Sequence, residues 1–113
     1  MMPEPRTDCA IDVTMSVIEG RWKSIILCKL KHKCEMRFTR LLKDVEGISP
    51  RMLTKQLKEL EQDGMVIRKV YNEMPPRVEY SLTKKGESII PVLAAIAEWG
   101  LSNILRRIVK IDV

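Results

Sequence analysis

The stretch Ile48-Ser49-Pro50-Arg51-Met52-Leu53-Thr54-Lys55-Gln56-Leu57-Lys58-Glu59-Leu60-Glu61-Gln62-Asp63-Gly64 begins and ends a helix with its own residues. Ser49 is an N-cap whose hydroxyl can accept from the first unpaired N–H groups. Pro50 suits the first helical position, where its missing N–H has no bond to lose, and Gly64 suits the C-cap. At 100° per residue Leu53, Leu57 and Leu60 fall within about 60° of one another and predict a core-facing stripe. Arg51, Lys55, Lys58 and Gln62 gather on the opposite side, with Thr54 at the margin. A rod bearing long donors fits a DNA major groove, although a plain amphipathic helix with a wet face has the same wheel.

Working outward, Met36 to Val45 predicts a short helix with Phe38, Leu41, Leu42 and Val45 on its apolar side, ended at Gly47. Two short helices across so tight a turn form a helix-turn-helix unit over about residues 37–63, in which the second helix reads the groove. Downstream, Met65 to Tyr71 has strand composition, and Arg77 to Leu82 alternates with Val78, Tyr80 and Leu82 on one face. Asn72 to Pro76 joins them, stiffened by Pro75-Pro76. A hairpin placed there is a two-stranded wing over about residues 65–82, and Arg68, Lys69 and Arg77 give it charges for phosphate or the minor groove.

Thr83 is expected to cap a last helix over about residues 84–108, with Pro91 kinking or dividing it. Its apolar residues cover more than one stripe. Leu93, Ile96, Trp99, Leu101 and Ile104 are therefore expected to form a symmetric homodimer interface, shared with a first helix over residues 11–19. Between them, Trp22, Ile25, Ile26, Leu27 and Leu30 predict a second helix, ended by Lys29, Lys31, His32 and Lys33. The fold class expected is α+β, mainly α: a winged helix-turn-helix with N- and C-terminal dimerisation helices. Length supports one domain, residues 1–113.

Composition narrows the function. Of 113 residues, 45% are apolar and 31% charged, an ordinary globular balance, so Leu, Ile, Val and Met build the core. No uninterrupted apolar run approaches the roughly 20 residues of a membrane span. The segment Met1 to Asp12 lacks the apolar core of a signal peptide, so a soluble, cytoplasmic protein with no membrane partner is expected. The net charge of +5 is uneven: residues 29–85 hold 14 Lys and Arg against 8 Asp and Glu, and the rest of the chain 6 against 7. A basic middle between near-neutral ends favours a polyanion, with double-stranded DNA first.

Cys9, Cys28 and Cys34 have no metal or redox spacing, and His32 is the only histidine. There is no Gly-rich phosphate loop and no nucleophile elbow, so no cofactor, metal or enzymatic activity is expected. Cys28 lies in an apolar stripe and is expected to act as a small core hydrophobe, while Cys34, among charged residues, is expected to be exposed.

In order along the chain, Cys9, Gly20-Arg21-Trp22-Lys23, Ile25-Ile26-Leu27, Arg37-Phe38-Thr39-Arg40-Leu41 and Ile48 to Thr54 form a set. It continues through Leu57 to Glu61, Gly64, Pro75-Pro76-Arg77-Val78-Glu79-Tyr80-Ser81-Leu82-Thr83, Gly86 and Trp99-Gly100. The set resembles the HxlR-type winged helix-turn-helix transcriptional regulators of bacteria and archaea, relatives of the MarR-like proteins, over about residues 9–100. The resemblance implies a homodimer on a palindromic operator, as repressor or activator. Ser49, Pro50, Arg51, Thr54, Lys55, Lys58, Arg68, Lys69 and Arg77 would contact DNA. Trp22 would be a packing anchor. Cys9 stands where several members carry a thiol that senses oxidants or electrophiles, which implies a redox or small-molecule effector. The alternative is a winged-helix protein-interaction module whose basic face meets an acidic partner without specific DNA binding.

Overall fold

The computed structural model describes residues 9–105. Helices α1 (Ala10–Ile18) and α2 (Lys23–Lys33) precede a short strand, β1 (Glu35–Arg37). Helices α3 (Phe38–Asp44) and α4 (Pro50–Gln62) follow, then strands β2 (Val66–Tyr71) and β3 (Arg77–Leu82) and the long helix α5 (Lys84–Gly100). Residues Leu101–Leu105 continue α5 as a π-helical turn, in which Asn103 Nδ2 donates to the Trp99 carbonyl at 2.9 Å. This is a winged helix-turn-helix, mostly helical, around an antiparallel sheet of order β1-β3-β2.

Ile26, Leu27 and Leu30 of α2 share one core with Leu41 of α3 and with Leu53, Leu57 and Leu60 of α4, all of them 0–1% exposed. Each such side chain contributes about 1.5–3 kcal/mol relative to its exposed state. Met36, Val66 and Tyr80 close the core from the sheet. The start of α5 is clamped to the end of α4: Thr83 Oγ1 donates to the Gly64 carbonyl at 2.5 Å and accepts from Gly86 N at 3.0 Å, and Lys85 Nζ donates to the Asp63 carbonyl at 2.8 Å. Gly86 lies against the Met65 carbonyl with no room for a β-carbon.

Several expectations change. The sheet has three strands rather than two, because Met36 does not begin a helix. It points into the core at 2% exposure between two exposed charged neighbours, an alternation that pairs with Glu79, Tyr80 and Ser81 of β3. Pro91 does not divide α5. Both Pro91 and Glu87, whose carbonyl a proline four residues on cannot pair, are on the exposed side of the helix.

Taken as one helix, Lys84–Leu105 spans 22 residues with mean hydropathy 1.5, long and apolar enough to cross a membrane by length and composition. No apolar run of that length stands in the sequence, because charges such as Glu87 and Glu98 interrupt it; the helix continues through them and so passes the test of length and composition. Leu93 is 7% exposed within the monomer, so it serves the core rather than an outer surface. The expected end of the last helix near Ile108 lies outside the described residues. The radius of gyration of 16.1 Å exceeds the roughly 13 Å of a compact chain of this length.

Candidate nucleic-acid interface

Helix α4 begins as its sequence dictates: Ser49 Oγ accepts from Met52 N at 3.1 Å, and Pro50 occupies the first turn. With Leu53, Leu57 and Leu60 buried, Arg51, Thr54, Lys55 and Lys58 stand exposed together on the outer side. The Thr54 hydroxyl donates to the Pro50 carbonyl at 2.9 Å, so towards a ligand it offers an oxygen acceptor and a methyl group.

Two contacts fix α4 from the side of α2. Gly47, at φ +88° in the turn before α4, lies against the Trp22 ring, which would meet a side chain there at 3.8 Å. Trp22 is thus a packing anchor, and Arg21 stacks over it at 4.7 Å. Lys23, 7% exposed, places Nζ 2.8 Å from Glu59 Oε1. The Lys23 hydrogen bond and charge, helped by Lys55, hold the Glu59 carboxyl below its ordinary pKa. Both residues belong to the motif set quoted from the sequence, but nothing there pairs them. The signal available was a lysine directly after Trp22 in a helix that is otherwise apolar at that end.

The wing does not gather its cations. Arg68 and Lys69 are adjacent on β2 and point to opposite faces of the sheet. Arg68 lies on the face shared with Val66 and Tyr80, and is exposed beyond the core's edge. Lys69 lies on the outer face, its Nζ 5.1 Å above the Tyr71 ring. Arg77 is held inside the wing, with Nε 3.0 Å from Glu79 Oε2, Nη2 3.2 Å from Glu73 Oε2 and the guanidinium 4.1 Å over Tyr71. Arg37 reaches the same Glu79 carboxylate at 3.9 Å, and Tyr71 Oη donates to Glu35 at 3.2 Å. Expected as a free phosphate ligand, Arg77 is instead neutralised by two carboxylates.

Cys9 is exposed at the N-cap of α1. Cys28 is half-buried against the core, and that burial raises its pKa, partly countered by Lys29; it behaves as a small hydrophobe. Cys34 is exposed. Among the described residues, no three His, Cys, Asp or Glu side chains are grouped to hold a metal ion.

The family model described as HxlR-like helix-turn-helix matches residues 17–107. The chain belongs to this family. This HxlR-like chain is 49% identical over 92 residues to an uncharacterised HTH-type transcriptional regulator of Methanothermobacter thermautotrophicus, covering 81% of the chain and 70% of the relative. It is 40% identical over 105 residues to the uncharacterised HTH-type transcriptional regulator YtcD of Bacillus subtilis, covering 93% and 82%. Among solved structures it resembles the redox regulator HypR in its oxidised form, at TM-score 0.77 and 43% identity over 84% of this chain and 97% of that one. It also resembles reduced YodB, a transcriptional regulator from B. subtilis, at TM-score 0.77 and 31% identity over 87% and 96%.

Proposed function

We propose that this chain acts as one DNA-binding unit, that two copies pair as a homodimer, and that the dimer regulates transcription by binding a palindromic operator. The observation that carries the reading is the outer face of α4, where Arg51, Thr54, Lys55 and Lys58 are exposed together behind a helix-turn-helix bend. Arg51 and Lys55 reach base edges with Thr54 beside them, while Lys58 and Arg68 take backbone phosphate. The reading requires no cofactor and assigns no catalysis. It places the protein in the cytoplasm, where its DNA is.

The dimer half of the proposal rests on apolar surface that one copy leaves uncovered: Ile11 on α1 is 68% exposed, and Ile96, Trp99, Leu101 and Ile104 are 45–61% exposed. So large an apolar face is uncommon on a monomer. A partner helix along it explains the hydropathy of α5 without a membrane.

Fluorescence anisotropy with duplex DNA from upstream of the chain's own gene, across a salt series, tests the proposal. Saturable binding that survives competitor DNA is expected. Binding that any competitor removes, with no salt-resistant fraction, favours the protein-interaction alternative.

A second reading, favoured by the likeness to HypR and YodB and by the exposed position of Cys9, is that the dimer responds to oxidants or electrophiles through this thiol. A Cys9→Ser variant loses an oxidant-dependent shift in DNA affinity. A shift of the same size in that variant excludes Cys9.

A further inference from the structure

We infer that Met74, at the tip of the wing, is an apolar wedge that enters the minor groove of bound DNA and opens a base step. The inference rests on the operator-binding reading and adds a contact to it. Met74 is 96% exposed, the most exposed large hydrophobic side chain among the described residues. It is followed by Pro75 and Pro76, both exposed, whose rings fix φ and stiffen the tip.

The tip has no cation to offer. Between Asn72 and Pro76 the one charge is Glu73, and it is spent on Arg77, which Glu79 and Tyr71 also hold. Beyond Asn72 and Glu73, which are exposed as well, the wing presents a contiguous apolar run at its end, Met74-Pro75-Pro76. Methionine and proline are side chains that minor-groove proteins insert between bases, unstacking them and bending the duplex.

Reach agrees with this. Strands β2 and β3 are six residues each, which carries the tip about 20 Å from the Gly64 turn at the end of α4. Half a turn of DNA, the step from a major groove to the neighbouring minor groove, is about 17 Å.

The probe is the duplex that the wild-type protein recovers from random-sequence DNA, with 2-aminopurine replacing adenines one at a time. Expected on wild-type binding is a fluorescence rise at one step in each half-site. Met74→Ala binds about tenfold more weakly, with an unchanged salt slope and no fluorescence rise, and Met74→Leu restores both. Because the side chain is almost fully exposed, neither substitution disturbs the fold. If Met74→Ala matches the wild type in affinity and fluorescence, or lowers the salt slope, the wedge is overturned while DNA binding stands. If the wild type recovers no duplex, the wedge and the operator reading fall together.

Discussion

Lys23 at the first turn of α2 and Glu59 on α4 meet at 2.8 Å, joining the Gly20-Arg21-Trp22-Lys23 loop directly to the helix that carries the basic face. Glu59 occupies the shoulder of α4 it shares with half-buried Met52 and Gln56. Gripping that shoulder fixes how far α4 is rotated about its own axis, and with it where Arg51 and Lys55 point.

This pair has a pH signature. Because Lys23 lowers the folded-state pKa of Glu59, its stabilisation is complete above the ordinary carboxylate pKa and is lost as pH falls through the lower folded value. Thermal melts between about pH 5 and about pH 3 are expected to fall more steeply for the wild type than for Glu59→Gln. Parallel curves would mean that the pair contributes nothing.

The cations divide by role. Arg51→Ala is expected to weaken operator binding by about 1–3 kcal/mol and relax base preference, while Lys58→Ala weakens all duplexes alike and lowers the salt slope by about 1. Arg77→Ala leaves that slope unchanged, because its charge is already matched by Glu73 and Glu79. A salt-series titration of the three variants separates these outcomes, and a reduced slope for Arg77→Ala would show that DNA strips it from its carboxylates.

Gly86 is expected to tolerate no side chain. A methyl group there would press into the Met65 carbonyl and the Leu82 side chain at the clamp between α4 and α5. Gly86→Ala should cost about 3 kcal/mol, read by chemical denaturation, and a cost below about 1 kcal/mol would mean the clamp yields easily.

Cys34, which ends α2, has φ +70° and ψ −61°, a γ-turn conformation that is rare and strained for a residue with a side chain. Cys34→Gly is expected to raise stability by about 1 kcal/mol, the relief exceeding glycine's extra freedom in the unfolded chain. A less stable variant would show that the thiol's local contacts outweigh the strain.

Much of the fold was legible because its signals are local. The Ser49-Pro50 start of α4, its leucine stripe, the Thr83 cap and the two wing strands each sit within a few residues of their cause. Strand β1 was not legible: three residues carry too little alternation, and Met36 is extended only because β3 lies beside it. The exposed basic face of α4 could be read from a wheel. The pairing of Arg77 with Glu73 and Glu79, and of Lys23 with Glu59 across 36 positions of sequence, depends on the folded chain and on no local pattern.

The bonds from Thr83 and Lys85 to the turn ending α4 turn α5 into a lever arm. Its 17 residues span about 25 Å, so in a dimer joined at the far end of α5 a 10° change in crossing angle moves the two attached α4 helices about 4 Å relative to one another, a little more than one base-pair rise. The register between half-sites is then set by how two α5 helices lie across each other, far from any base. Substitutions on the exposed side of α5 should change the operator spacing that selection returns and leave its base preferences alone.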